Sequence, residues 1–169
     1  MNRGWIKLDE GELDRLWYSF EDAFDFRPSG GTPVPVIRDP SPSITFDLRS
    51  IWSPDAPAFG AAASASIDAS ARRCFLREFG DDIELTVLDW QHVGYRYRPG
   101  LSDVTTDPGA GYPMVVPDGD YWIYLVADQS EGTFGHPWEP SLCVFGPRMT
   151  RSLGSELATW LPVLRRVDA

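Results

Sequence analysis

Lysine, cysteine and histidine are scarce in this chain of 169 residues, and each shortage excludes a kind of chemistry. Lys7 is the single lysine beside fourteen arginines, so Schiff-base chemistry would depend on one residue near a chain end. Two cysteines, Cys74 and Cys143, do not make a disulfide framework, and no CxxC pair occurs. Only His92 and His136 offer an imidazole, the side chain that exchanges protons most easily near neutral pH.

Long apolar runs and phosphate-binding loops are also missing. No stretch of the sequence is long and apolar enough to span a membrane, and the first seven residues lack the apolar run of a signal peptide. No GxGxxG, GxxxxGK[ST] or GxSxG motif occurs, which excludes the common phosphate loops and the serine-hydrolase elbow. We therefore expect one soluble domain, residues 1–169, in the reducing cytoplasm.

Acidic residues outnumber basic ones and give a formal net charge of -10. Nucleic acids and anionic membranes attract basic surfaces, so we expect neither as a partner. An acidic surface suits a basic partner protein or a cationic small molecule, or it serves solubility alone. The acids are dense between Asp9 and Asp25.

Apolar residues at helical spacing predict three helices. The first begins after Asp9, because Glu12 follows three residues later as in a capping box. The second begins at residues 55–57 and ends near Gly80, a plausible stop. The third closes the chain over residues 153–164 and bends at Pro162.

Alternating apolar and polar residues predict strands between these helices. They cover residues 43–48, 83–90, 94–98, 121–126 and 142–145, and irregular loops cover 27–42 and 99–120. Because no steady β-α-β rhythm appears, the pattern predicts an α+β single domain, with a mainly antiparallel sheet packed against about three helices.

Both histidines stand three residues from a carboxylate and beside a tryptophan. His92 follows Asp89, and His136 precedes Glu139 in a Gly-His-Pro-Trp-Glu segment. A neighbouring carboxylate can fix the tautomer of an imidazole and stabilise its charged form. These four residues are therefore the candidate catalytic groups. A histidine beside an aromatic ring is also a common structural residue, and that alternative stays open.

Asp89 continues the apolar side of the predicted strand over residues 83–90, where an unpaired carboxylate would be costly. Backbone amides, Arg96 or Arg98, or a histidine are the partners that the sequence offers. Arg98 is also a candidate anchor for an anionic ligand. Tyr121 would line the floor of a pocket that the 99–120 loop covers.

Trp90 and Trp138 are candidate ligand contacts or core residues. The HxxE spacing of His136 and Glu139 would place two metal ligands on one face of a helix. The prolines that follow each of them favour extended backbone instead. The remaining candidates for a metal shell are His92, Asp89, Asp120 and Cys143. We expect no metal and no cofactor.

Several segments together resemble an uncharacterised bacterial family defined only as a domain of unknown function. They span residues 24–29, 42–47, 89–99, 117–125, 134–139 and 142–146, and Gly-His-Pro-Trp-Glu is the most specific of them. The resemblance implies a small, stand-alone, cytoplasmic protein and implies no activity. This chain departs from the pattern at Gly100, where relatives often have histidine, and at Glu131, where they often have an aromatic residue.

Two functions fit these observations. The first is small-molecule binding or cofactor-independent acid/base catalysis at His136 and His92, in a hydrolysis, isomerisation, cyclisation or elimination. The second is an acidic protein-binding module, of the immunity or regulatory type, that meets a basic partner protein through the first helix.

Overall fold

The structure is a computed structural model that describes residues 4–29, 36–101 and 114–169. Within these ranges, eight strands form one sheet in the order β1-β4-β3-β5-β6-β7-β2-β8, and every pairing is antiparallel. The strands are β1 Trp5–Lys7, β2 Ser43–Asp47, β3 Leu85–Asp89, β4 Tyr95–Tyr97, β5 Trp122–Leu125, β6 Gly132–His136, β7 Ser141–Phe145 and β8 Val163–Val167. The predicted α+β class with an antiparallel sheet is confirmed.

Helices cover both faces of the sheet. Helix α1 is Glu10–Phe24, helix α2 is Pro57–Phe79, and α3 is a continuous segment made of Pro147–Met149, the π-helical turn Thr150–Gly154, and Ser155–Leu157. The predicted cap of α1 is confirmed, because the Asp9 carboxylate accepts the Glu12 N–H at 2.8 Å. Helix α2 ends where expected, at Gly80, whose φ of 92° suits a residue without a Cβ.

Two apolar cores lie on opposite faces of the sheet. Leu85 and Val87 of β3 pack with α2 and α3 on one side, which we call the α2 face. Leu88, which lies between Val87 and Asp89, packs instead with Phe20 of α1 on the other side, the α1 face. Successive side chains of a strand point to opposite faces, so the alternation of β3 defines these two sides.

The prediction for the chain end was wrong in its bounds and partly in its type. The helical segment begins at Pro147 and ends at Leu157 rather than running over residues 153–164. Residues 163–167 form β8, which pairs with β2 at the edge of the sheet. Val163 and Leu164 are 38% and 43% exposed, so they do not form the buried stripe of a helix. Strands β1 and β6 also went unpredicted. Strand β1 has three residues, too few for an alternating pattern, and β6 contains two glycines, Gly132 and Gly135, which weaken a strand signal.

The predicted loops fall partly outside the described residues, which exclude 30–35 and 102–113. Pro99–Leu101 forms a 3-10 turn at the start of the second loop. Among the helices of the described ranges, none is both long enough and apolar enough to cross a membrane.

Candidate functional site

Asp89, His92 and Asp120 form a cluster where β3 ends and β5 is about to begin. His92 Nδ1 lies 3.0 Å from Asp89 Oδ1 and 3.4 Å from Asp120 Oδ2. A tight turn places the His92 ring beside the Asp89 carboxylate. In this turn the His92 N–H donates to the Asp89 carbonyl at 3.1 Å, and Gln91 adopts a φ of 65°. Asp120 lies two residues before Trp122, the first residue of β5. Because Trp122 is the register partner of Asp89, Asp120 lies near the end of β3. We call these three residues the Asp–His–Asp cluster.

The imidazole of the cluster is open to solvent while its two carboxylates are largely enclosed. The His92 side chain is 61% exposed, whereas those of Asp89 and Asp120 are 16% and 18% exposed. Burial raises the pKa of Asp89, although hydrogen bonds from His92 and the Trp122 indole oppose the shift. Burial likewise raises the pKa of Asp120. The hydrogen bond to Asp89 is the main cause that raises the pKa of His92.

The partner of Asp89 is therefore the histidine, one of the options that the sequence left open. Arg96 pairs with Glu12 and Glu84 instead. Arg98 binds Glu84 with a guanidinium–carboxylate distance of 2.8 Å. This pairing neutralises Arg98 outside the cluster, so the structure does not bring the predicted anion anchor to the predicted acid/base groups.

The same three side chains have the spacing of metal ligands. Each offers one nitrogen or oxygen atom, and these atoms lie within 4.8 Å of one another. One imidazole with two carboxylates suits zinc or manganese. Cys143, the fourth residue considered from the sequence, lies in the core of the α1 face. Because a metal ion and a proton would compete for the His92 lone pair, the cluster can hold one or the other. The absence of a metal stays a prediction.

His136 has a different environment from His92. It lies in β6 with 1% of its surface exposed. Its Nδ1 accepts a hydrogen bond from the Glu139 backbone N–H at 3.1 Å. Because a backbone N–H can only donate, Nδ1 must carry its lone pair, and the neutral ring has its proton on Nε2. Protonation at Nδ1 would break this bond, so the turn that follows β6 sets the tautomer of His136.

The Glu139 carboxylate points to other partners than the His136 ring. Its oxygens accept the Ser141 hydroxyl at 2.6 Å and the Arg165 guanidinium at 2.7 Å, and Arg165 also binds Asp39. Burial acts to lower the pKa of Arg165, but the hydrogen bonds to Glu139 and Asp39 outweigh it and raise that pKa. Residues 137–140 form a turn, which confirms the expectation that the prolines exclude a helix here.

Tyr121 is the centre of an aromatic group on the α1 face. Its side chain is fully buried, and its hydroxyl bonds the Ser29 backbone N–H and C=O at 3.3 and 3.1 Å. The rings of His136, Trp138 and Trp90 lie 5.0, 5.0 and 5.4 Å from its ring. Four of the eight predicted site residues thus gather here, in tight packing.

The sheet separates the two histidines. Asp89 follows Leu88 of the α1 face and so lies on the α2 face with Val87. His136 contacts Phe134 and shares its side of β6, which is the α1 face. The predicted residues therefore form two groups: the Asp–His–Asp cluster on one face and the aromatic group on the other.

Asp68 is a perturbed group that sequence reasoning missed. This carboxylate of α2 accepts the Val115 N–H at 2.7 Å, and its Oδ2 is buried without a hydrogen-bond partner in the described part of the chain. Burial raises the pKa of Asp68 to about 7, against the opposing hydrogen bonds from Val115 and Val116. A single aspartate in an alanine- and serine-rich helix carries no sequence signal of this kind, because its partner is 47 residues away.

Both departures from the resembling family have local structural reasons. A Cβ at Gly100 would lie 2.2 Å from the Asp81 carbonyl oxygen, so a histidine there requires the backbone to shift. Glu131 is 2% exposed and accepts the backbone N–H groups of Arg148 and Met149 at the start of α3. Glu131 therefore caps a helix, and neither position belongs to the Asp–His–Asp cluster.

Comparisons with known proteins identify a family and do not name a reaction. The model of a family described as "Protein of unknown function (DUF2716)" matches residues 7–150. A protein of Bacillus subtilis (strain 168), the uncharacterized protein YxiI, is 28% identical over 153 residues, which cover 90% of this chain and 93% of that protein. No solved structure matches.

Proposed function

This chain belongs to the DUF2716 family of proteins of unknown function, and we propose that its Asp–His–Asp cluster is an acid/base site for a small molecule. The observation that carries the proposal is an exposed imidazole whose Nδ1 lies within 3.4 Å of two largely enclosed carboxylates. Such an imidazole is held in place and remains reachable by a ligand. The reaction classes that suit it are hydrolysis, isomerisation, cyclisation and elimination, which need no redox cofactor.

Each member of the cluster has a distinct part in this proposal. Asp89 holds the ring by its shorter contact and stabilises the imidazolium when the ring takes a proton. Asp120 adds a second negative charge, which favours a substrate or transition state that develops positive charge. His92 is the group that exchanges the proton with the ligand.

The aromatic group serves this site from the opposite face of the sheet. Trp90 and Tyr121 directly follow Asp89 and Asp120 in the chain, and both rings pack in the core of the α1 face. Their packing fixes the backbone that carries the two carboxylates. His136, Tyr121, Trp90 and Trp138 are in this proposal positioning residues, and Arg98 supports the neighbouring strand through Glu84.

A ligand screen by thermal shift tests the proposal. Compounds that stabilise the wild type should lose their effect in His92→Asn and Asp120→Asn, while the melting temperatures of the free proteins stay within about 2 °C of one another. Asp25→Asn is the matched control, because that exposed aspartate follows the end of α1 and pairs with Arg27. Hits that bind both cluster variants as well as the wild type would remove the cluster from the function.

Zinc and manganese titrations of chelator-treated protein separate proton chemistry from metal chemistry. The acid/base proposal expects no binding below millimolar concentration. A tight site lost in His92→Asn would replace the proposal with a metal-dependent one, since a metal ion held by both carboxylates would take the place of the Nδ1 proton that bonds Asp89.

The outer face of α1 favours a second candidate, the acidic protein-binding module. Six acids at the ends and on the outer side of this helix are exposed: Asp9, Glu10, Asp14, Glu21, Asp22 and Asp25. Among them Tyr18 is 71% exposed, a residue type that interfaces favour. A basic partner protein is the complement of this surface.

Pull-down from cell extract at low and high salt tests the second candidate. A genuine partner should be captured at low salt, released at high salt, and missed by the double variant Asp14→Lys, Glu21→Lys. Asp82→Lys is the control, because Asp82 is an exposed acid that does not lie on α1. A partner that the control variant loses equally would be bound by net charge alone.

A further inference from the structure

A cavity of about 220 Å³ lies at the other end of the sheet, where β2 and β8 meet α3. Strands β6 and β7 stand between it and the strands that carry the Asp–His–Asp cluster. The polar side chains that line the cavity include Arg151, Arg166, Ser155 and Asp168. The cavity shares no residue with the cluster, so a ligand held here would be independent of the proposed function.

Arg151 and Arg166 differ from the other arginines that the structure describes. Each of the others donates to a carboxylate or to a backbone carbonyl, including those that are mostly exposed. These partnered arginines are Arg15, Arg27, Arg38, Arg49, Arg72, Arg73, Arg77, Arg96, Arg98, Arg148 and Arg165. Within the described ranges, Arg151 and Arg166 have no such partner, and both line this one cavity. In a chain with a net charge of -10, two unpaired guanidiniums in one place are unexpected.

Strand alternation explains why Arg166 is unpaired beside a paired neighbour. Arg165 is the register partner of Thr45, and its guanidinium forms ion pairs with Asp39 and Glu139. Arg166 opposes Ile44 and shares its side of the sheet, the α2 face. Cross-strand partners lie side by side, so Arg166 is presented to the helix that covers Ile44.

Helix α3 provides the second arginine through an unusual backbone. Its π-helical turn, Thr150–Gly154, carries Arg151, and π-helical turns occur often at functional sites. Gly154 lets this turn approach β2 closely, since a Cβ there would lie 3.0 Å from Ile44 Cδ1. The close approach brings Arg151 to the same cavity as Arg166.

Two of the three hydroxyl side chains at the cavity, those of Thr150 and Ser155, differ in whether their proton already has a partner. Thr150 already donates to the Gly146 carbonyl at 2.7 Å, so its single hydroxyl proton is taken. Ser155 makes only a 3.5 Å contact with the Thr150 carbonyl, which is the limit of a hydrogen bond. Ser155 is thus an available neutral donor beside two cationic ones. Asp168 is the one carboxylate among the lining side chains.

We infer that this cavity is a binding site for a phosphate group, held by Arg151 and Arg166 with Ser155 as a third donor. Two guanidiniums match the double negative charge of a phosphate monoester, and each can donate two parallel hydrogen bonds to its oxygens. The negative charge of the whole protein opposes weak, diffuse attraction of anions. Binding therefore depends on these directed donors, and the ligand class is a small phosphorylated molecule.

Titration with inorganic phosphate at constant ionic strength, followed by NMR of backbone amides, tests this site. We expect saturable shifts around α3 and β8, and a Kd that rises at least 10-fold in Arg151→Ala and in Arg166→Ala, because each removes a charge-assisted contact. Arg166→Lys should retain part of the affinity. Asp168→Asn should bind phosphate several-fold more tightly, because it removes the negative charge at the cavity.

Arg15→Ala is the matched control, since Arg15 is an exposed arginine of α1 that bonds the Gly11 carbonyl. Its phosphate affinity should equal that of the wild type. Both cavity arginines are exposed, so their substitution should not change the melting temperature in phosphate-free buffer. Phosphate should raise the melting temperatures of the wild type and of Arg15→Ala alike, and should raise those of Arg151→Ala and Arg166→Ala much less. Three results would overturn the inference: no saturable binding, an equal loss in Arg15→Ala, or acetate binding as tightly as phosphate.

Discussion

The two histidines have the same local sequence arrangement and opposite environments. Each stands three residues from a carboxylate and near a tryptophan. His92 is 61% exposed and contacts the carboxylates of Asp89 and Asp120, whereas His136 is 1% exposed and accepts a backbone N–H. Spacing along the chain therefore does not decide whether an imidazole meets a carboxylate. The decisive factors are the turn between them and the other partners of the carboxylate.

Arg165 accounts for much of the difference at Glu139. It takes the Glu139 carboxylate into an ion network with Asp39, which leaves only the backbone of Glu139 to contact His136. Asp89 has no arginine partner among the described residues, so its carboxylate is available to His92. The chemistry of the two segments thus depends on a residue near the chain end that neither segment contains.

The largest effect should come from removing the buried imidazole. His136→Ala leaves the Glu139 N–H without its acceptor and opens a cavity among aromatic rings, so the free energy of unfolding should fall by about 3 kcal/mol. Urea denaturation measures it. His136→Asn, which keeps an acceptor oxygen, should lose less. A loss below about 0.5 kcal/mol would show that His136 is not structural.

A smaller loss should follow from weakening the ion network. Glu139→Gln removes the charge that faces Arg165, whose side chain is 26% exposed, and should lower stability by about 1–2 kcal/mol. Because the contact to His136 is made by the backbone, the proton should stay on Nε2. Nitrogen-15 NMR of the His136 ring reads the tautomer directly. A change of tautomer in this variant would mean that the carboxylate acts on the ring after all.

Asp89→Asn should change the pKa of His92 and leave the fold intact. The hydrogen bond to Asp89 is the largest cause that raises the pKa of His92, and the charge of Asp120 contributes less. The pKa of His92, followed by proton NMR, should therefore fall more in Asp89→Asn than in Asp120→Asn. The His136 ring signals serve as the internal control and should not move. A shift in Asp120→Asn as large as that in Asp89→Asn would contradict the leading role of Asp89.

The smallest effect on stability should come from His92→Asn, because the ring is mostly exposed. The pKa of His92 is raised in the folded protein, so its favourable interactions are present below its ordinary pKa and are lost as pH rises through the folded value. The variant should match the wild type at alkaline pH and become slightly less stable below it. Denaturation at about pH 5.5 and at about pH 9, on either side of the ordinary histidine pKa, measures the difference. A larger loss at alkaline pH would contradict the assignment.

Much of the fold was predictable from local patterns. The cap at Asp9, the stop at Gly80 and the alternation of β3 lie within a few residues of their causes. Strand β8 was not predictable, because Leu164 and the apolar residues before it are spaced as in a buried helix. In the structure residues 163–167 pair with β2 at the edge of the sheet, where Val163 and Leu164 are exposed. Both histidine segments were candidates from the sequence, but their separation by the sheet was not predictable from it.

Local sequence determined which side chains are present and where helices and strands form. It provides an acidic chain with two imidazoles, and Pro137 restricts the backbone of one of them, His136. Only the tertiary structure decided their roles. In the folded chain Asp120 contacts His92 across a strand pair, Glu139 binds Arg165 instead of His136, and Arg166 lines a cavity. The Glu139–Arg165 contact joins residues 26 positions apart, and the Asp39–Arg165 contact joins residues 126 positions apart. The register between strands decides such contacts, and no local pattern specifies that register.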